Sequence, residues 1–331
     1  MKKRIIYFFL IFITYFTVES YSSYQDNLKE QKSDFEINSF INNSQEYITD
    51  DFFSKDDLNQ IFESAVEGKV NNKNILKNLL KLFGKELKNI FTNIAVILAI
   101  IVIHGILKSI SDNLENNNIS KLIYYVQFIL IVTIIMENFV QIISLIKETI
   151  VNMVGFINLL IPILTSLMIF TGSIATTSTL EPIIFFGVNI IADLIQNLLL
   201  PVVLVIASFC IVSKISDKVQ IYKLTKYLKS GVIWILGIVL TVFVSVISLE
   251  GNLASSVDGI SAKTTKAVVS SAIPIVGKIL GDAVDSVLGC GVILKNSVGI
   301  VGVIIIVGIC VVPILKLAIT TIGYKLLARS M

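Results

Sequence analysis

Several stretches of this chain carry no charged side chain over the length of a membrane span. Residues 150–170 and 231–249 contain no Asp, Glu, Lys or Arg and are predominantly apolar. A helix needs about 20 such residues to cross the ~30 Å hydrocarbon core of a bilayer. Lipid offers no hydrogen bonds to the backbone, so only helices and closed barrels span it. Since the stretches have helix length, we predict an all-α, polytopic membrane helix bundle.

The overall composition agrees with this class. Of the 331 residues, 54% are hydrophobic and 15% are charged, whereas soluble domains carry about 25% charged residues. The mean hydropathy is +0.83, and the net charge of +3 is small and spread along the chain. We therefore expect a lipid bilayer as a partner and no nucleic acid.

Signatures of the common enzyme classes are missing from the sequence. His104 is the single histidine, which excludes paired-histidine metal sites. Cys210, Cys290 and Cys310 lie in apolar segments without a CxxC, as is typical of small buried hydrophobes. Neither GxxxxGK[ST] nor GxSxG occurs. We predict a protein that is not an enzyme and binds no cofactor or metal.

The N-terminus has the pattern of a signal peptide over residues 1–20. A basic start, "MKKR", precedes an apolar run over 5–17 that is short for a membrane span. Val18 and Ser20 suit the −3 and −1 positions of a cleavage site. The alternative is an uncleaved anchor. Both interpretations place the polar residues 21–89 outside the cytoplasm, as a small extracytoplasmic helical region.

Within that region, residues 21–43 show weak periodicity and are predicted to be mobile. Ser54 and Asp57 have the spacing of a helix capping box, and the apolar residues that follow recur at helical spacing. Residues 74–89 form an amphipathic pattern with lysines on one face. Such a helix lies on the membrane surface or packs as a soluble helix against its neighbour.

The remainder, 90–331, is predicted to be a multi-span domain. Its candidate spans are 90–107, 122–140, 150–170, 182–212, 231–249 and 297–318. The basic loop 214–230 is of the kind that stays in the cytoplasm. The number of crossings between the extracytoplasmic region and this loop must then be odd, yet four candidates precede it. We predict that 182–212 is a hairpin or a broken pair of half-helices around 197–201, the alternative being a re-entrant element within 141–181.

Two groups of polar residues interrupt the apolar segments. The first is a stripe at helical spacing, Asn189, Asp193 and Asn197, which is either a set of hydrogen bonds between helices or the lining of a cavity.

The second group lies in 272–289, a segment predicted to be a re-entrant or packed polar helix that Pro274 starts and the Gly289–Gly291 pair ends or bends. Gly277 and Gly281 form a GxxxG face that lets another helix approach, and charged residues share the neighbouring face. The candidate packing or conduit residues here are Pro274, Gly277, Lys278, Gly281, Asp282, Asp285, Lys295 and Asn296.

The stretches "IPIVGKILGDAVDSV", "LKNSVGIVG", "EPIIFFGVN" and "VVPILKLAITTIGYKL" resemble the stage III sporulation protein AE family over roughly residues 85–330. The resemblance implies a multipass protein of the mother-cell (outer forespore) membrane. It also implies partners: seven stage III sporulation membrane proteins encoded with it, and a forespore membrane protein. Together they form a channel or secretion-like apparatus for late forespore gene expression. The family has no established catalytic residues, and the family-like residues here, which include Gly299 and Gly302, carry no assigned roles.

One feature departs from the family pattern. Members continue past the equivalent of "YKLLA" with a further hydrophobic segment, whereas this sequence ends "YKLLARSM". On the resemblance it is a shortened member or a truncated product. The alternative function is a stand-alone secondary transporter with a Lys/Asp site at the membrane midplane. A paired-carboxylate enzyme using Asp193 with Asp282 or Asp285 is disfavoured, because the flanking residues match no intramembrane protease motif.

Overall fold

The computed structural model describes residues 26–48, 53–69, 73–112, 117–215, 221–272 and 276–330. Nearly all of these residues are helical and none is in a strand, which confirms the predicted all-α class. The helices are α1 (26–34), α2 (Ile37–Ser44), α3 (Lys55–Val66), α4 (Lys73–Asp112), α5 (Asn117–Phe170), α6 (Ile174–Leu194), α7 (Leu200–Ile215), α8 (Ile221–Ala272) and α9 (Val276–Ser330).

Four stretches of helix in the described ranges are long and apolar enough to cross a membrane. They are Lys121–Phe170, Ile174–Ile211, Tyr222–Asp258 and Asp285–Leu326. A shorter apolar stretch, Ile94–Leu107, lies in α4. The predicted membrane-type helix bundle is therefore found, built on fewer and longer helices than the candidate spans suggested.

α5 and α9 lie side by side in antiparallel directions. The contacts that fix their register are Asn138–Tyr324, Met153–Cys310, Leu160–Gly302 and Phe170–Gly291. In these four pairs the residue number on α9 falls steadily as the residue number on α5 rises. Positions on the two helices can therefore be matched along the length of the bundle.

α6 and α8 form a second antiparallel pair. Their register is fixed by Ala175–Asp258, Leu180–Gly251 and Gly187–Phe243. The amide of Asn189 on α6 also lies 3.4 Å from Asn158 Oδ1 on α5, which ties this pair to the first one. Between α5 and α6 the chain reverses at Gly172, whose φ of 87° suits a residue without a Cβ.

The short helices α1–α3 share one hydrophobic core with α5 and α9. Ile37, Phe40, Leu58 and Phe62 are fully or almost fully buried together with residues of the 153–170 part of α5 and the 290–309 part of α9. The prediction that 21–43 is mobile is wrong for the described residues from 26 onward. The weak apolar periodicity did not indicate ordered helices because each of these helices buries only a few large side chains.

The predicted spans 122–140 and 150–170 are one continuous helix. α5 contains no break between them, because the joining residues "QIISLIKET" include neither Gly nor Pro and most favour a helix. The extracytoplasmic helix predicted at 74–89 and the span predicted at 90–107 are likewise joined without a break, in α4.

The prediction that 182–212 is a hairpin or two broken half-helices is wrong. α6 and α7 continue into one another through a π-helical turn at Ile195–Leu199, directly before Pro201. A proline lacks the N–H of its turn and clashes with the carbonyl four residues earlier. A single π turn changes the hydrogen-bond pattern where that clash would fall, so the helix accommodates Pro201 without reversing.

The Gly289–Gly291 pair, which was predicted to end or bend the helix of 272–289 that Pro274 starts, does not end it, and a re-entrant or packed position of this segment stays a prediction. α8 runs to Ala272, and α9 starts at Val276 and passes through both Gly289 and Gly291. The segment is therefore the start of the longest helix. Glycine weakens a helix by about 1 kcal/mol, which packing against α5 at Gly291 offsets.

Candidate functional site

Charged residues on three helices fall at one height along the bundle, and we call them the Glu/Lys layer. The layer consists of Glu181 on α6, Glu250 on α8 and Lys295 on α9. Glu181 and Glu250 adjoin the facing pair Leu180–Gly251. The register contacts place all three charges opposite about residues 165–167 of α5.

A second set of charges, which we call the lysine layer, lies further along the same bundle. It consists of Lys147 on α5, Lys229 on α8 and Lys316 on α9. The register contacts place Lys229 and Lys316 opposite about residues 144–146 of α5. All three lysines therefore lie at nearly the same height.

Between the two layers lies an apolar belt. Its segments are 149–166 of α5, 182–200 of α6 and α7, 230–249 of α8 and 296–315 of α9. The layers stand 21 positions apart on both α8 and α9, which is about 32 Å at 1.5 Å per residue. That separation matches the ~30 Å thickness of the hydrocarbon core. The predicted spans 150–170, 231–249 and 297–318 coincide with the belt.

One side of the belt exposes large apolar side chains. It is formed by α6 and α8 and includes Phe186, Ile190, Trp234, Val242 and Leu249, each more than half exposed. An exposed apolar surface of this extent on a single chain marks a contact with lipid or protein. The side is suited to acyl chains.

α1–α3 pack against α5 and α9 at this part of the belt. The Phe40 and Phe156 ring centroids lie 6.0 Å apart, and those of Tyr47 and Phe156 lie 6.5 Å apart. Phe156 belongs to the belt, where the register places it level with Ile190 and Val242. α2 therefore lies at the height of the belt, rather than beyond its end.

The outer side of α1–α3 is polar and acidic. Residues 26–48 and 53–69 contain nine Asp or Glu and four Lys, a net charge of −5. A charged side chain at the centre of a bilayer costs about 2.5–3.5 kcal/mol on insertion scales. α2, the helix that lies level with Phe156, contains no charged residue, so the thirteen charges belong to α1, α3 and the turns beside α2.

Specific bonds hold α1–α3 in place. Lys32 forms an ion pair with Glu63, and its ammonium lies 4.9 Å from the centre of the Phe62 ring. The Gln31 amide donates a 3.0 Å hydrogen bond to the Val287 carbonyl of α9. These contacts join α1 to α3 and to the first turns of α9.

The predicted polar stripe divides into two parts. Asn189 donates a 2.7 Å hydrogen bond to the Phe185 carbonyl and faces Asn158 of α5, which fits a contact between helices. Asn197 donates to the Asp193 carboxylate, and both side chains are exposed beside the π turn. Asp193 is the only charged residue in the four belt segments. A cavity-lining role stays a prediction for Asp193 and Asn197.

The predicted residues of 272–289 are only partly covered by the structure. Pro274 lies outside the described residues, and of Gly277, Lys278, Gly281 and Asp282 the structure describes the backbone alone. Their backbone belongs to the first two turns of α9, on the far side of the Glu/Lys layer from the belt. They lie away from the position that a midplane site would need.

The remaining predicted residues of α9 mark the edge of the belt. Asp285 is exposed beyond the Glu/Lys layer, Lys295 is half-buried within that layer, and Asn296 is exposed at the first position of the belt. The register therefore places Lys295 at the height of the glutamates of α6 and α8, and Asp285 beyond that height.

Among the described glycines, four that the sequence did not single out for packing make close contacts with another helix or turn. A Cβ built on Gly302 would lie 2.8 Å from Leu160, and one on Gly291 would lie 2.6 Å from Phe170. Gly187 is similarly close to Phe243, and Gly155 to Tyr47. Their partners are distant in sequence, so spacing along one helix carries no signal for them.

Asp258 is a further residue that sequence reasoning missed. Its two carboxylate oxygens accept hydrogen bonds of 2.7 Å from the Ala175 N–H and 2.9 Å from the Thr176 N–H. These N–H groups belong to the first turn of α6, where backbone donors lack partners within the helix. A residue of α8 thus caps α6.

No group of three His, Cys, Asp or Glu side chains is placed to hold a metal within the described ranges. The cysteines are free thiols.

Comparison with known proteins identifies the family. The family model described as stage III sporulation protein AE matches residues 56–330. The chain belongs to the stage III sporulation protein AE family. This confirms the resemblance stated above and extends it to the start of α3.

A relative within the stage III sporulation protein AE family gives the same result. It is the stage III sporulation protein AE of Bacillus subtilis (strain 168), 30% identical over 223 residues. The alignment covers 67% of this chain and 56% of the relative, so the chain spans little more than half of that protein. No solved structure matches.

The capping box predicted at Ser54 is confirmed and can be tested alone. Ser54 Oγ accepts from the Asp57 N–H at 3.2 Å, and the Asp57 carboxylate accepts from the Ser54 N–H at 3.0 Å. Replacing Ser54 by Ala should lower stability by about 1 kcal/mol. Thermal unfolding in detergent measures this, with Ser39→Ala on the exposed side of α2 as the control. Equal unfolding temperatures for both variants would show that the box contributes nothing.

Proposed function

We propose that this protein is a non-enzymatic multipass component of the channel or secretion-like apparatus that links mother cell and forespore during sporulation. Membership of the stage III sporulation protein AE family supports the biological setting. The observation that carries the membrane role is the apolar belt, about 32 Å thick, between the Glu/Lys and lysine layers.

The charges support one orientation of the belt. The lysine layer adjoins the basic loop 214–230, and short basic loops stay in the cytoplasm. The Glu/Lys layer, Asp258 and Asp285 then lie outside, on the side where α1 contacts Val287 of α9. The lipid-suited side is formed by α6 and α8.

The continuous α5 gives the required odd number of crossings without a hairpin. With 122–170 as one passage, the odd number is reached if α4, whose apolar stretch Ile94–Leu107 is shorter than the four long stretches, is a third passage beside α5 and the joined α6 and α7. α8 then returns to the outside and α9 to the cytoplasm.

The proposed partners follow from the family. They are the other stage III sporulation membrane proteins encoded with it and a forespore membrane protein, within an oligomeric assembly in the mother-cell (outer forespore) membrane. A stand-alone secondary transporter is less well supported, because the backbone of the Lys278 and Asp282 segment lies beyond the belt, whereas transporter sites lie near the midplane.

Deletion of the gene tests this proposal. We expect sporulating cells to arrest after engulfment, with a late forespore-specific reporter silent, and the intact gene to restore both. Microscopy and reporter fluorescence measure the effect, and a reporter active before engulfment is the control. Normal spores with a normal late reporter would contradict the proposed function.

A further inference from the structure

We infer that the start of α8 binds the headgroups of anionic phospholipids at the edge of the apolar belt. The site is the exposed face of the first turns of α8, which we call the basic-aromatic face. It consists of Tyr222, Lys223, Lys226, Tyr227, Lys229 and Trp234. The inference rests on the proposed function in one respect, that the belt crosses a membrane with the lysine layer on the cytoplasmic side. It adds the chemistry of the lipid that this end of the protein selects.

Two neighbouring strips of α8 carry these residues. One strip begins at Tyr222, with lysines four and seven positions further on, and the other begins at Lys223, with Tyr227 and Trp234 four and eleven positions further on. The three aromatic side chains are 72%, 76% and 68% exposed, in chain order. The three lysines are exposed as well, whereas Thr225 on the other side of the helix is buried. Lysines and aromatic rings therefore alternate on one outward-facing surface.

No acidic residue of the surrounding segments balances the charge of this face. Residues 221–249 contain no Asp or Glu, and neither does α7 or the part of α9 beyond Asp285. α8 packs against both of these helices. Within the described residues, none of the three lysines forms an ion pair. Their ammonium groups are therefore available to an anion from outside the chain.

The basic-aromatic face continues directly into the side of the belt that suits acyl chains. Ile233, Ile238 and Val244 follow it along α8, each more than half exposed. Trp234 stands five positions from Lys229, which is about 7.5 Å along the helix axis. Tyrosine and tryptophan rings favour the headgroup level of a membrane, and lysines beside them attract anionic lipids. An anionic phospholipid combines acyl chains with a negative charge at this spacing, whereas a soluble acidic protein does not.

The fluorescence of Trp234 can test this site without a label, because it is the single tryptophan of the chain. The full chain is reconstituted into two sets of liposomes that contain the same mixture of phosphatidylglycerol and phosphatidylcholine. In one set the phosphatidylglycerol carries dibrominated acyl chains, and in the other set the phosphatidylcholine carries them. Bromine quenches tryptophan at short range. The ratio of the two quenching values therefore measures which headgroup is enriched beside Trp234, at the same membrane charge.

We expect phosphatidylglycerol to be enriched beside Trp234 by at least about threefold at low ionic strength, because each lysine adds to the attraction for anionic headgroups. The enrichment should fall as salt screens the charges. Replacing Lys223, Lys226 and Lys229 together by Gln should abolish it.

A matched triple variant controls for the loss of charge. Lys29→Gln, Lys55→Gln and Lys69→Gln remove the same number of charges from exposed positions in and beside α1–α3. This control should keep the full enrichment. An enrichment that persists in the α8 variant, or that falls equally in both triple variants, would overturn the assignment to the basic-aromatic face.

The remaining outcomes separate this inference from the proposed function. Equal quenching by the two brominated lipids would overturn the inference and leave the membrane crossing of the belt intact. Absence of quenching by either lipid would overturn both, since Trp234 would then not touch acyl chains. Loss of the enrichment on adding inorganic phosphate at constant ionic strength would overturn the lipid in favour of free phosphate. Enrichment in a protein whose deletion leaves spores normal would overturn the sporulation role alone.

Discussion

Replacing Gly302 by leucine is expected to destabilise the bundle by about 1–3 kcal/mol, the usual effect of overpacking a core. Gly302 is buried where α9 crosses α5, and a Cβ at this position would lie 2.8 Å and 3.2 Å from the two methyl carbons of Leu160. A leucine side chain must therefore push the helices apart or force Leu160 out of its rotamer. At about 2–4 °C per kcal/mol, the apparent unfolding temperature in detergent should fall by roughly 5 °C.

The chain offers a matched control one turn away. Gly299→Leu places the same side chain on the same helix, where a Cβ meets no heavy atom within 4 Å, and it should leave the unfolding temperature nearly unchanged. Combining Leu160→Ala with Gly302→Leu should recover part of the lost stability. The new side chain at position 302 then fills the space that the shortened side chain at position 160 leaves. The packing of Gly302 against Leu160 would be contradicted if Gly299→Leu and Gly302→Leu lowered the unfolding temperature equally and Leu160→Ala restored none of it.

Local patterns allowed correct prediction of what depends on neighbouring residues. The capping box needs only Ser54 and Asp57, three positions apart, and the buried face that follows it needs only helical spacing. The helical, apolar character of 150–170, 231–249 and 297–318 was predicted because it is a property of about 20 consecutive residues, whereas their crossing of a membrane stays a prediction. The family was recognised from stretches of similar sequence.

Features that depend on distant residues could not be predicted in this way. The close contact at Gly187 depends on Phe243, and the height of α2 depends on Phe156. The GxxxG at Gly277 and Gly281 attracted attention because its spacing is visible in sequence, whereas the glycines that touch another helix follow no such motif. Pro201 suggested a break because proline usually ends a helix, and the π turn that accommodates it has no clear signal.

Removing the carboxylate of Asp258 is expected to loosen the junction between α8 and α6. Asp258→Ala leaves the Ala175 and Thr176 N–H groups without the acceptors that lie 2.7 Å and 2.9 Å away. It also removes a negative charge from the positive end of the α6 dipole. Loss of a capping side chain costs about 1–2 kcal/mol, and the charge adds to this effect. We expect a lower unfolding temperature and faster proteolysis at the turn near Gly172.

Two further variants separate capping from charge. Glu250→Gln removes a negative charge from the same helix about two turns away, so it should leave both readouts nearly unchanged. Asp258→Asn keeps one acceptor oxygen and places an amide N–H₂ against a backbone donor. The fall in unfolding temperature for Asp258→Asn should therefore lie close to that for Asp258→Ala. If the unfolding temperature falls no further for Asp258→Ala than for Glu250→Gln, water accepts the hydrogen bonds of the Ala175 and Thr176 N–H groups instead. In that case the junction between α6 and α8 would be held by apolar contacts such as Gly187–Phe243 alone.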